Sequence, residues 1–336
     1  MDQIWGSLAQ YQEVQWGWPI AFYLFIAGLS AGALISALLI KRSAGQGQWR
    51  DGLVKAGAII APLAIMVGQG LLVLDLGKPF SFYLLMIHFQ LTSVMSIGVI
   101  LLMAYTALSM LFFLIVFKEE AGRMMKQLLP LAEAGEGAGL ALDFLMGLSA
   151  VSIAVYTGFL LSVLVAKPLL NIAVLPLLFL ISGMSAGVAA NIVAGVLFFR
   201  SSVGERNLRY LLTLDMKLIP SELFVLFILF VGLVNMGGSY AIVARQALST
   251  GVWAQVFWIG VVGIGLILPI IMAFTALHRF EQAGKTATLT AGGGGSMASS
   301  GSLPISALVM NSAFVLVGVV LLRFYLLYAG QIFIGN

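Results

Sequence analysis

Acid–base chemistry in this 336-residue chain rests on few groups: two histidines, thirteen acidic residues and seventeen basic ones, with no cysteine. Several of them gather where polar groups are scarce. Gln69, Asp75 and Lys78 lie along the end of one apolar run, and His88 precedes the next. An aspartate that accepts an imidazole N–H orients the ring and favours its protonated form. An Asp75–His88 pair would therefore make a proton acceptor working near neutral pH. Tyr156 supplies a phenol able to donate to a carbonyl oxygen on a ring. Trp16, Trp18, Phe22 and Tyr23 supply flat faces that would flank a lipophilic molecule. A second group, Asp143, Asp215, Lys217 and Glu222, reads as lying near the opposite ends of the runs. There Asp143 and Glu222 would form the inner mouth of a proton path.

Each group also fits a structural role. Asp75-Leu-Gly-Lys-Pro79 is a good helix stop. Tryptophans at a membrane interface form belts. His88 fits a hydrated rim position, and Tyr156 a hydrogen bond to a neighbouring helix. Asp143 and Glu222 fit first-turn positions favoured by a helix dipole. Asp215 and Lys217 read as solvated, and Arg323 as snorkelling to an interface.

The elements that must position these groups follow from composition. Hydrophobic residues make up 61% of the chain and charged residues 9%, with a mean hydropathy of +1.08. A soluble domain carries roughly 25% charged residues, so a soluble enzyme, a disordered chain and a nucleic-acid binder are excluded. Spanning a hydrocarbon core about 30 Å thick takes about 20 apolar residues in a helix. Eight stretches qualify: Trp18–Ile40, Ala56–Leu74, Phe89–Phe117, Phe144–Val165, Asn171–Phe199, Leu223–Val243, Gly251–Leu277 and Leu303–Ala329. The first seven hold no Asp, Glu, Lys or Arg, and the eighth holds only Arg323. The residues before Trp18 show no basic region of the kind that opens a cleavable signal peptide.

The loops orient the helices. Lys41, Arg42, Arg50, Lys55, Lys118, Arg123, Lys126, Arg200, Arg206, Arg209, Lys217, Arg279 and Lys285 fall on one side. Lys78, Lys167 and Arg245 fall on the other. The basic side is expected to be cytoplasmic, with both termini periplasmic in a bacterial inner membrane. The glycine cluster Ala291-Gly-Gly-Gly-Gly-Ser296 lacks the Gly-Lys-Ser/Thr ending of a phosphate loop and reads as a linker.

A short motif recurs. Gly28-Leu-Ser-Ala-Gly32 in the first segment matches Gly183-Met-Ser-Ala-Gly187 in the fifth. Leu74-Asp-Leu-Gly77 similarly faces Val234-Asn-Met-Gly237. Four segments separate the copies, so they share an orientation, as in parallel repeats. The expectation is an all-α polytopic membrane protein: eight transmembrane helices in two four-helix bundles, residues 1–166 and 167–336, related by a parallel internal repeat. The paired glycines read first as close helix packing and second as ligand contacts.

Without cysteine, the chain has no thiolate for an iron–sulfur cluster or a metal. His88 and His278 fall at opposite ends of the spans, too far apart to share a haem iron. No haem, cluster or metal is expected. A membrane redox subunit lacking these can still work on a quinone, which carries its own electrons and protons.

Several stretches resemble the NrfD/PsrC family of polysulfide-reductase-type membrane subunits. They are Pro19-Ile-Ala-Phe-Tyr-Leu-Phe-Ile-Ala-Gly-Leu-Ser-Ala-Gly32, Leu74-Asp-Leu-Gly-Lys-Pro-Phe-Ser-Phe-Tyr83, Ser93-Val-Met-Ser-Ile-Gly98, Tyr156-Thr-Gly-Phe-Leu-Leu-Ser162 and Leu178-Phe-Leu-Ile-Ser-Gly-Met-Ser-Ala-Gly187. The resemblance implies a cofactor-free anchor of a bacterial respiratory complex. Such an anchor exchanges electrons between menaquinone or ubiquinone and a periplasmic four-cluster ferredoxin-like iron–sulfur subunit. That partner serves a molybdopterin catalytic subunit or a multihaem cytochrome. The quinone site would lie near the periplasmic face of the first bundle, with Tyr156 matching the family's quinone-site tyrosine. Some relatives carry a histidine in the first helix, where this chain has none, and His88 is taken in its place. The quinone contacts are then Tyr156, Gln69, Lys78, Trp18 and Phe22, with His88 as proton acceptor and Asp75 as its orienter. Two other readings stand beside this one: a secondary transporter built on parallel repeats, and a structural anchor that binds no quinone.

Overall fold

A computed structural model describes residues 16–43, 50–76, 79–87, 90, 93–120, 129–275, 278 and 305–333. The apolar runs form eight long helices: α1 (Trp18–Ser43), α2 (Gly52–Leu74), α3 (Val94–Val116), α4 (Leu129–Ser162), α5 (Leu175–Phe198), α6 (Glu205–Met236), α7 (Gly251–Thr275) and α8 (Ile305–Ile332). All eight are long and apolar enough to cross a membrane, and no strand occurs among the described residues. The protein is an all-helical, multi-pass membrane protein.

Local chemistry sets the helix ends. Asp51 caps α2, its carboxylate accepting the Leu53 N–H at 2.8 Å. Pro176 stands in the first turn of α5, where its missing N–H costs nothing. Asp75 takes the C-cap of α2 and is exposed, as a helix stop requires. The sixth helix differs from the sequence expectation of Leu223–Val243. It begins at Glu205 and stops at Gly237, whose φ of 71° is open to glycine and costly for other residues. A separate helix, Gly238–Ser249, then leads to α7. The added start is polar, and these first turns anchor α6 at the basic end.

α1 and α5 form the centre. About 72% and 67% of their apolar windows are buried, against 33–44% for the other six, which face lipid. α1 also packs on α2, α4 and α8, and α5 on α2, α4, α6 and α8. The recurring glycines meet along this central seam. A Cβ at Gly32 would run into the Gly183 carbonyl, and one at Gly187 into the backbone of Gly32 and Ala33. The motif packs two backbones together, in line with the first of its two readings. Asn191 of α5 fastens the seam, donating to Ala33 O at 2.9 Å and Ser36 Oγ at 2.7 Å on α1.

Polar clasps hold both ends. At one end, the Trp16 N–H donates to Gln331 Oε1 at 2.8 Å, and Gln331 Nε2 returns a bond to Trp16 O at 3.1 Å. Lys167 Nζ donates to Gln331 O at 2.8 Å, and partial burial lowers the pKa of this ammonium. This terminal end thus gathers both ends of the helical body. At the opposite, basic end, Asp51 Oδ2 accepts from Gly204 N and Asn207 Nδ2 at 3.0 and 2.8 Å, and Lys41 pairs with Asp143 at 2.6 Å.

Candidate functional site

Four helices bring polar and aromatic groups together near the terminal end. Counting about 1.5 Å per residue, Tyr23 on α1, Gln69 on α2, Gly98 on α3 and Tyr156 on α4 each lie within about 9 Å of their helix ends. Tyr23 packs beside Gly68, where an added Cβ would lie in ordinary contact, 3.4 Å from Tyr23 Cδ2. Gly98 is needed by Tyr156, whose phenol occupies the space a Cβ would take. The helices that carry the two tyrosines, α1 and α4, pack together. Both tyrosines are buried, and the Tyr23 hydroxyl has no hydrogen-bond partner among the described residues.

Gln69 shows only part of its amide to this region. Its Nε2 donates to Thr106 Oγ1 at 2.8 Å and to Leu102 O at 3.4 Å, which leaves Oε1 as the group it can offer. Beside it opens a cleft of about 180 Å³ lined by Gln69, Leu72, Leu76, Phe82, Val99 and Met103, among others. That is smaller than the roughly 300–1,000 Å³ of whole-ligand pockets. It suits a single ring whose apolar tail stays in lipid. Gln69 and Val99 line the cleft one residue on from Gly68 and Gly98, the glycines that Tyr23 and Tyr156 touch, so the phenols stand at the height of the cleft without lining it.

The other expected residues distribute differently. Asp75 lies on the exposed end of α2. Lys78 and His88 fall outside the described residues. Trp18 and Phe22 pack edge-to-face with centroids 6.0 Å apart, and Phe22 meets Phe324 of α8 at 5.2 Å. These two rings therefore join α1 to α8, while the neighbouring Tyr23 turns toward α2 and α4. Asp143 is held by Lys41 at the basic end, apart from the surroundings of Glu222.

Three sequence expectations are overturned. Asp215 is 2% exposed rather than solvated, and Glu222 is 2% exposed inside α6 rather than in a first turn. Arg323 is fully buried rather than snorkelling. The misplacement came from the late start assigned to α6. From Glu205 onward, Leu211, Asp215, Ile219, Glu222, Leu226 and Leu229 form one buried stripe at helical spacing. Both carboxylates stand where the stripe calls for apolar residues, and that signal was legible. Arg323 lies over the Phe179 ring at 3.7 Å, and its Nη2 donates to Ser182 Oγ at 2.7 Å and Phe179 O at 3.2 Å.

A larger cleft of about 740 Å³ opens between α6 and α7. Its walls are almost wholly apolar, including Phe227, Phe230, Val231 and Trp258, with Asn235 at its rim. The Trp258 N–H is spent on Leu248 O at 2.9 Å. Little there can orient a polar head group. Among the described residues, no cluster of His, Asp and Glu could hold a metal ion.

Comparison with known proteins agrees with this architecture. The family described as "Polysulphide reductase, NrfD" matches residues 6–292. The protein is 46% identical to the C subunit of the polysulfide reductase of Wolinella succinogenes over 100% of both sequences. It is 35% identical to protein NrfD of Escherichia coli over 97% of this sequence and 98% of that one. A protein NrfD homolog of Haemophilus influenzae is 30% identical over 94% of each. With a match spanning most of its length and eight helices to carry it, the chain belongs to the NrfD polysulphide-reductase family.

Proposed function

We propose that this protein is the membrane subunit of a bacterial respiratory oxidoreductase complex and oxidises quinol at the terminal end of α1–α4. The names of its relatives, which include a polysulfide reductase subunit, support the complex. One observation carries the quinol reading. Gln69 lines an apolar cleft of ring size, and at its height Tyr23 and Tyr156 are buried, the Tyr23 hydroxyl with no hydrogen-bond partner among the described residues. A buried hydroxyl left unpaired costs about 1–3 kcal/mol, which a bound ring oxygen would recover.

A quinol in this cleft gives two electrons to the nearest cluster of a periplasmic iron–sulfur subunit and two protons to groups at the rim. Tyr156 donates to a ring oxygen, Gln69 Oε1 accepts from a quinol hydroxyl, and the apolar walls exclude water from the ring. His88 takes the proton with Asp75 orienting it, and Lys78 stands at the mouth. The iron–sulfur partner passes electrons to a molybdopterin subunit or a multihaem cytochrome. The same geometry serves quinone reduction when the potentials are reversed, and menaquinone and ubiquinone present the same pair of ring oxygens. In this reading the terminal end is periplasmic, the basic end is cytoplasmic, and residues 1–166 form the quinone-binding bundle.

The test uses the assembled complex in native membranes, a reduced short-chain naphthoquinone as donor, and the optical bleaching of the partner's iron–sulfur clusters. Tyr156→Phe and Gln69→Leu should each slow bleaching about tenfold, the worth of one substrate hydrogen bond. Wild-type rates in both variants, with the complex assembled, would overturn the site.

A further inference from the structure

The charges inside the last four helices take no part in the quinol site. Counting from the basic end at about 1.5 Å per residue, Asp215 is about 15 Å into α6, Glu222 about 26 Å, and Arg323 about 27 Å into α8. Glu222 and Arg323 thus share a level, and each acts electrostatically on the other. No direct hydrogen bond or ion pair joins them among the described contacts. Asp215 lies two turns nearer the basic end on the same buried face and also acts on Glu222. Its Oδ1 accepts the Ser185 hydroxyl at 2.7 Å.

Two features separate this arrangement from a sealed ion pair. Among the described residues, Arg323 uses only Nη2 for hydrogen bonds, and its buried Nε and Nη1 have no partner. Guanidinium N–H groups in a membrane interior require acceptors, and water with two to four polar neighbours is the group small enough to serve. The second feature is the charge count. Two carboxylates and one guanidinium are buried on these packed helices. Among the described residues, the other buried polar groups of α5–α8 are neutral: Ser182, Ser185 and Asn191 of α5, Asn207 of α6, and Asn311, Ser312 and Gln331 of α8, with Tyr325 of α8 donating its hydroxyl to Ala247 O at 3.1 Å. Arg245, on the intervening helix, is exposed. An uncompensated charge at this depth is costly, so one proton added to the two carboxylates brings the cluster to neutrality.

We infer that Asp215, Glu222 and Arg323 frame a hydrated proton-binding site in the membrane interior, holding one exchangeable proton between the two carboxylates. The proton arrives from water, bonds to a carboxylate oxygen of Asp215 or Glu222, and leaves by the same internal water. Ser185 and Ser182 supply the neutral hydrogen bonds at either level. The site is independent of the quinone reading, since it needs neither quinol nor electron flow.

The test is pH-difference infrared spectroscopy on the resting purified complex, in H2O and D2O and without quinol. The wild type should show a protonated carboxylic C=O band that shifts in D2O. Glu222→Gln and Asp215→Asn should each abolish that band, because the remaining carboxylate and Arg323 are already neutral together. Asp143→Asn, altered at the basic end, should leave it unchanged. A wild-type band that fails to shift in D2O, or its absence, would overturn the proposal whether or not the variants fold. Persistence of the band in both folded variants would overturn it equally.

Discussion

The first four helices and the last four enclose polar groups of different kinds. Near the terminal end, α1–α4 hold two buried phenols and an amide that lines an apolar cleft. Deeper and across the α1–α5 seam, α5, α6 and α8 enclose two carboxylates and a guanidinium. A neutral hydroxyl can stay buried without a partner at a cost of about 1–3 kcal/mol, so the first region can keep a vacant place for a lipophilic ring. Charges require countercharge and water, so the second region suits a proton rather than an organic ligand. Helix seams and glycines are shared; the kind of polar group distinguishes what each region handles.

The comparison breaks most completely where both regions depend on one contact. Gly187→Val would drive a side chain into the backbone of Gly32 and Ala33. The cost should exceed the ~1–3 kcal/mol of ordinary overpacking, because neither backbone can move aside. The expected outcome is loss of folded protein and of both sites, measured as recovery of monodisperse protein from membranes. Arg323→Met comes next. Leaving buried carboxylates without their countercharge should cost about 3–5 kcal/mol in thermal unfolding in detergent. Pairing it with Glu222→Gln should restore most of the loss, because fewer charges then remain to be compensated.

Effects at the first region should appear in rate rather than stability. His88→Ala should lower quinol-dependent reduction of the partner clusters about 100-fold, the lower range for a general base, with the complex intact. Lys41→Met should have the smallest effect. Its pair with Asp143 is partly solvated, so unfolding should change by less than about 1 kcal/mol and quinol oxidation not at all. A larger loss of quinol oxidation would tie the basic end to the first site.

Much of this was legible in the residues. Eight apolar runs, the basic loops and the glycine motifs determined the helices and the seam. Tyr156 and Gln69 stood out because polar groups are rare at membrane depth. Three features were obscured for physical reasons. Helix α6 opens with polar turns that hydropathy does not mark as part of a span, so Asp215 and Glu222 read as its mouth instead of its buried stripe. A lone arginine near a helix end snorkels in isolation, and only the Phe179 ring and Ser182 hydroxyl explain its burial. Trp18, Phe22 and Tyr23 look alike as interfacial aromatics. Turning by 100° per residue sends Phe22 to α8 and Tyr23 to α2, and no composition rule separates them.

The central claim is that quinone binds among α1–α4 even though the larger apolar cleft lies between α6 and α7. Photolabelling of the purified complex with an azido-naphthoquinone, followed by peptide mapping, tests it directly. The account predicts label on α1–α4 peptides around Tyr23, Gln69 and Tyr156, displaced by excess unlabelled quinone. Displaceable label concentrated around Phe227 and Trp258 would contradict it.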